Sequence, residues 1–145
     1  MNTRTSVMFG LLLAAVAGGS YIAGAIGAGK GGMTPADKLV WEKVGDGPLQ
    51  AAKLWGDRQQ GAYGVLYKLP PGFHATPHSH TADYNGVNLK GTWVHIMDGE
   101  TKEMPPGSYV MQPGGGVHDD YCKGPEECIF LIQQDAKADF IPEKK

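Results

Sequence analysis

The chain has 145 residues, with 13 Lys and Arg against 15 Asp and Glu and a formal net charge of −2 at pH 7. This length accommodates one domain. Because acidic and basic residues are interspersed, we expect neither a nucleic-acid partner nor binding to an anionic membrane surface.

The first 28 residues form a separate segment. Arg4 precedes an apolar run that starts at Val7, and alanine and glycine are frequent from there to Ala28. A short positive start, an apolar centre and small residues are typical of a secretory signal peptide. The same run is long enough to act as an N-terminal membrane anchor if it is not cleaved. We therefore expect a signal peptide (or N-terminal membrane anchor) over residues 1–28 and a periplasmic or secreted protein, which contacts a membrane only through an uncleaved segment.

The body of the chain, residues 33–145, follows a glycine-rich joint and carries mostly strand signals. Runs of β-forming residues between glycine and proline turns predict strands over residues 39–44, 61–69, 84–89, 92–97 and 128–133. Shorter strands are expected at the motif segments 78–80 and 107–112. Residues 49–55 fit a strand or a short helix, and residues 135–145 are expected to be a polar tail. Many short strands with almost no helical periodicity predict an all-β barrel or jelly roll.

Three histidines are the strongest candidates for chemistry. His78 and His80 are separated by one residue, so on a strand both side chains point to the same face and can enter one cavity. His118, from a distant part of the chain, would supply a third imidazole. Imidazole suits zinc, copper, iron and nickel, so the group predicts a divalent transition metal without selecting it. His74 is expected at the mouth or the surface, and His95 inside the barrel with its hydrogen bonds satisfied.

The spacing around these histidines resembles the two motifs of the cupin superfamily. Residues 72–91 read G-x5-H-x-H-x3-Y-x6-G, and residues 107–122 read G-x5-P-x-G-x2-H-x3-C. The superfamily motifs run G-x5-H-x-H-x3/4-E-x6-G and G-x5-P-x-G-x2-H-x3-N. The resemblance covers about the middle third of the chain. It implies a cupin-type jelly-roll barrel over residues 33–145, preceded by the signal segment, with His78, His80 and His118 as metal ligands.

Two positions depart from these motifs. Tyr84 stands where the superfamily has a glutamate ligand, and Cys122 stands where it has asparagine. Tyr84 could be a distant ligand, a hydrogen-bond donor to a bound substrate or a packed aromatic residue, and it is our candidate catalytic residue. Asp83 competes as a fourth ligand, but strand alternation turns it to the face opposite His80 unless a bulge intervenes.

Cys122 and Cys128 are the two cysteines of the chain, and a turn-like stretch of five residues separates them. A disulfide across such a hairpin loop is geometrically reasonable, and an exported protein can keep it oxidised. The alternative is two free thiols. We predict the disulfide.

Within the superfamily, the chain resembles small single-domain bacterial cupins, including acetylacetone-cleaving dioxygenases with a three-histidine iron centre. That resemblance implies an exported non-haem iron oxygenase that acts on a small organic substrate, with Tyr84 orienting the substrate or a metal-bound water. Iron is the favoured metal, and zinc, manganese, nickel and copper are the alternatives. A non-catalytic periplasmic metal- or ligand-binding cupin is the second hypothesis, and a metal-free scaffold the third. A homodimer is expected.

Overall fold

The computed structural model describes residues 31–144. The predicted signal or anchor segment, residues 1–28, lies outside the described residues. Within residues 31–144, no helix is both long and apolar enough to cross a bilayer.

Nearly all regular structure in the described residues is β-strand, which confirms the predicted all-β class. The elements are a short 3-10 helix and eleven strands: Ala36–Lys38 for the helix, then β1 Glu42–Lys43, β2 Gln50–Gly56, β3 Tyr63–Leu69, β4 His78–Ser79, β5 Tyr84–Lys90, β6 Thr92–Met97, β7 Glu100–Met104, β8 Tyr109–Gln112, β9 His118–Lys123, β10 Cys128–Gln134 and β11 Ile141–Pro142.

The strands form two antiparallel sheets that share one core. The first sheet has the order β1-β2-β3-β10-β5-β8, and the second has the order β11-β4-β9-β6-β7. Alternate residues of a strand face opposite sides of its sheet, and in β10 every second residue is buried. Trp93 of the second sheet stacks on Phe130 of the first, with ring centroids 4.6 Å apart. The inward faces of both sheets therefore pack against each other.

Residues 49–55, which fit either a strand or a short helix, form strand β2 over Gln50–Gly56. Pairing with β3 decides between the two, because the six antiparallel residue pairs that join β2 to β3 can form only if the chain is extended. The predicted first strand is shorter than expected and covers Glu42–Lys43.

The prediction of a polar tail over residues 135–145 is wrong. Ile141 and Pro142 pair with Ser79 and His78, so the segment adds strand β11 to the edge of the second sheet. The pairing is only two residues long, and a two-residue strand has too few positions to show an alternating pattern in the sequence.

The predicted disulfide is present between Cys122 and Cys128, whose Cα atoms are 5.6 Å apart. Both residues are fully buried. Cys122 lies on β9 and Cys128 begins β10, so the bond joins the two sheets next to the turn that connects them.

We expect the disulfide to stabilise the fold by about 2 kcal/mol, because a cross-link lowers the conformational entropy of the unfolded chain. The effect is at the low end of the usual range because the loop that this bond closes is short. Urea unfolding with and without a phosphine reductant would measure the difference. The double variant Cys122→Ser, Cys128→Ser is the control, since the reductant should not change its stability. Equal stability of the oxidised and reduced wild-type protein would contradict the expectation.

Candidate metal centre

The structure brings His78, His80 and His118 together. His78 and His118 are direct cross-strand partners in the pairing of β4 with β9, and His80 follows two residues after His78. The ring centroid of His78 lies 4.3 Å from that of His118 and 4.9 Å from that of His80. One ring nitrogen from each residue falls within 4.8 Å of the others. We call these three residues the histidine group.

Backbone carbonyls fix which nitrogen of each ring carries the proton. Nδ1 of His78 lies 2.8 Å from the carbonyl oxygen of Thr76, and Nδ1 of His118 lies 3.1 Å from that of Gly116. Nδ1 of His80 lies 2.6 Å from the carbonyl oxygen of a third residue, Asp139. A carbonyl oxygen only accepts, so each Nδ1 must donate. In the neutral rings, the lone pairs are therefore on the three Nε2 atoms.

Burial keeps two members of the group, His78 and His118, neutral. It lowers the pKa of His118 to about 4, and the nearby negative charge of Asp120, which raises this pKa, offsets only part of the effect. Burial also lowers the pKa of His78. At neutral pH both rings therefore offer an unprotonated nitrogen. Neutral imidazoles whose other nitrogen donates to the backbone are the form in which histidine binds transition metals, so the residues fit a divalent metal.

Tyr84 lies beside the histidine group, on the inward face of β5. Its side chain is buried, and its hydroxyl oxygen is 3.4 Å from Nε2 of His118. Its ring centroid is 5.5 Å from that of His80. Burial, together with the nearby charge of Asp120, raises the pKa of the phenol well above its usual value. Tyr84 is therefore a neutral hydrogen-bond donor that faces the group.

Asp83 faces away from the histidine group, as strand alternation predicts. Its carboxylate is exposed and accepts a hydrogen bond of 2.7 Å from the backbone N–H of Gly114. The carboxylate that does approach the group is that of Asp120, which the sequence analysis missed. Oδ2 of Asp120 lies 3.7 Å from Nε2 of His118. Alternation on β9 could have found it, since residues 118 and 120 share a face just as residues 78 and 80 do.

Asp120 belongs to a buried polar network beneath the histidine group. Its Oδ1 accepts hydrogen bonds of 2.7 Å from Nε1 of Trp93 and from Nδ1 of His95. Nε2 of His95 lies 3.1 Å from Oε1 of Gln112, and Nε2 of Gln112 donates to the carbonyl of Gly116. Both nitrogens of His95 thus have hydrogen-bonding partners, Asp120 at Nδ1 and Gln112 at Nε2. His95 is buried and satisfied inside the barrel, as predicted.

The last described segment of the chain completes the surroundings of the group. Phe140 stacks on the ring of His78 at 4.2 Å and an angle of 21°. Asp139 supplies the carbonyl that holds His80, and its carboxylate accepts hydrogen bonds from the backbone N–H and hydroxyl of Thr81. His74, by contrast, is largely exposed and pairs with Asp119. The segment predicted to be a polar tail is therefore part of the site.

A cavity of about 260 Å³ opens onto the histidine group at His78 and His80. Its walls are mainly apolar and aromatic, and they include the side chains of Leu49, Leu69, Phe73, Phe130, Ile132 and Phe140. Its polar lining includes Arg58, Tyr84 and Asp120. A small cavity with apolar walls and a few convergent polar groups is typical of a small-molecule site.

Solved structures similar to this chain have the cupin fold. The polyketide cyclase RemF from Streptomyces resistomycificus superposes with a TM-score of 0.67 at 18% identity, over 79% of this chain and 86% of that protein. A cupin-2 domain protein from Rhodospirillum rubrum, Rru_A2000, gives 0.63 at 18% identity, over 79% and 81%. A predicted oxalate decarboxylase from Thermotoga maritima gives 0.61 at 18% identity, over 72% and 98%. At these identities the likeness establishes the fold and nothing finer.

The family described as "Domain of unknown function (DUF4437)" matches residues 36–145. No curated protein sequence matches the chain. The family match begins three residues after the start of the body predicted over residues 33–145 and ends with it.

Proposed function

We propose that this chain, which belongs to the DUF4437 family, is an exported cupin that binds a divalent transition metal through His78, His80 and His118 and acts on a small organic molecule. The observation that carries the proposal is the set of three Nδ1–carbonyl hydrogen bonds, which directs three Nε2 lone pairs into one group. A structural metal site usually has four protein ligands, whereas a catalytic one keeps an open position. Three protein donors beside a cavity favour the second kind.

The finer proposal is an iron-dependent oxygenase of the three-histidine type. A bound divalent metal would supply Lewis acidity to an oxygen of the ligand, and iron would add redox chemistry. The chain's own residues would orient the ligand and adjust the charge. Tyr84 can donate a hydrogen bond to a ligand oxygen beside His118, and the Asp120 carboxylate places negative charge next to the same ring.

A second candidate, a non-catalytic metal- or ligand-binding protein, draws on one observation. The carboxylate nearest the histidine group, that of Asp120, is already engaged in hydrogen bonds with Trp93 and His95, which makes it a poor acid or base for catalysis. Tyr84 is then the remaining candidate for proton transfer. Export to the periplasm or the medium and assembly as a homodimer belong to both candidates.

Replacing any one of the three histidines by alanine should lower metal occupancy sharply, since each change removes one of three protein donors. Elemental analysis of protein purified without chelators measures this and identifies the metal. His74→Ala is the matched control, because His74 is exposed and pairs with Asp119. Full occupancy in the His118→Ala variant would refute the assignment of the third ligand.

Tyr84→Phe should keep the metal and lower activity. Removing one hydroxyl that contacts His118 is expected to reduce oxygen uptake by the iron-loaded protein about ten- to a hundred-fold, with a small β-diketone as the substrate. A loss of metal from the variant would instead make Tyr84 a ligand. Iron-loaded wild-type protein that consumes no oxygen with diketones, thiols or hydroxy acids would favour the non-catalytic candidate.

Asp120→Asn should weaken metal binding about ten- to a hundred-fold, because it removes a negative charge that lies 3.7 Å from Nε2 of His118, the nitrogen that would face the metal. Competition against a chromogenic chelator measures the affinity. Asp119→Asn is the matched control, because it makes the same change on the neighbouring residue, which pairs with the exposed His74. Equal affinities for the two variants would show that the Asp120 charge does not reach the metal.

A further inference from the structure

Arg58 lines the cavity that opens onto the histidine group. It lies in the tight turn after β2, where the backbone N–H groups of Gln60 and Gly61 donate to the carbonyl of Asp57. Its own carbonyl accepts a hydrogen bond of 2.6 Å from the N–H of Ala138. The backbone of Arg58 is therefore fixed between this turn and the segment that packs over the site.

Among residues 31–144, the guanidinium of Arg58 has no anionic partner. Its Nε is buried and has no hydrogen-bond partner among residues 31–144. The ion pairs within that part of the chain do not include Arg58. Arginine stays charged and carries five N–H donors, so burying a donor without an acceptor is costly. Such a group in a folded protein calls for an explanation.

The carboxylates that border the same cavity are bound elsewhere. Asp120 accepts from Trp93 and His95, and Asp139 accepts from Thr81. Arg58 lies instead beside an aromatic ring: its Cζ is 5.9 Å from the centroid of the Tyr67 ring. Tyr67 also lines the cavity, so the positive charge lies over an aromatic face of the cavity wall.

We propose that Arg58 binds the carboxylate of the ligand, and that the ligand is a small organic acid with an apolar or aromatic body. This proposal specifies the ligand class of the proposed function. It rests on the proposed function for one point only, namely that the other end of the ligand binds the metal. The planar guanidinium matches a carboxylate with two parallel hydrogen bonds. A single cation among apolar walls suits a monoanion better than a doubly charged phosphate.

The cavity is large enough for a small aromatic acid. Its volume of about 260 Å³ exceeds the ~150 Å³ of an apolar cavity that binds benzene, so a ligand of the size of a benzoate ion fits. The apolar walls favour a ring or short hydrocarbon between the carboxylate and the histidine group.

Calorimetric titration with benzoate and with benzamide, its neutral counterpart of the same shape, tests the proposal. Both metal-loaded and chelator-treated protein are titrated, because benzoate could also bind directly to the metal. We expect benzoate to bind metal-free wild-type protein at least tenfold more tightly than benzamide. Arg58→Gln should weaken benzoate about ten- to a hundred-fold, the effect of losing a hydrogen bond to a charged group, and leave benzamide unchanged.

Lys102→Gln is the charge control, since Lys102 is exposed and pairs with Glu100 away from the cavity. Benzoate binding that Arg58→Gln does not change, or equal binding of benzoate and benzamide to the wild type, would overturn the proposal even if the metal is present. If benzoate binding depends on Arg58 but the protein purified without chelators contains no metal and takes none up when iron is added, the ligand proposal stands and the proposed function is overturned. The ligand comparison in the wild type remains decisive if Arg58→Gln does not fold.

Discussion

The arrangement of the site depends on one cross-strand pair, His78 opposite His118. Strand β4 is two residues long, and so short a pairing holds poorly by itself. Three further contacts secure it: the carbonyl of Thr76 holds the ring of His78, β11 pairs with the other edge of β4, and Phe140 stacks on the same ring. Together these three contacts hold the His78 ring in place, although β4 is only two residues long.

Strand β9 connects this pair to the interior. Its three inward residues are His118, Asp120 and Cys122, which belong to the histidine group, the buried polar network and the disulfide. His95 meets Asp120 because the two are direct partners in the pairing of β6 with β9. Removing one partner from a buried hydrogen-bonded network leaves polar groups unsatisfied, so this network resists rearrangement. The core therefore positions His118, the member of the histidine group that lies on β9.

Much of this was accessible from the sequence, and the limits are physical. Strand alternation predicted that His78 and His80 share a face, and the motif spacing placed His118 with them. The same alternation applied once more would have given Asp120. Arg58 and Asp139 could not be predicted, because one acts from a turn and the other through its backbone carbonyl. Sequence patterns report side-chain type along a strand, whereas these roles come from contacts between segments distant in the chain.

The departure at Tyr84 and the unpaired Arg58 have a common electrostatic consequence. A glutamate at position 84 would add a negative charge beside the metal, and the neutral phenol does not. A divalent metal held by three neutral imidazoles would keep part of its positive charge, because the nearby Asp120 carboxylate offsets one of its two charges. Arg58 adds another positive charge at the same cavity, where apolar walls screen charge poorly. The other carboxylate of the cavity wall, that of Asp139, is already bound by Thr81. A negatively charged ligand would neutralise the net positive charge of this cavity. Contacts of the ligand's carboxylate with Arg58 and of its second oxygen with the metal would fix the ligand's orientation.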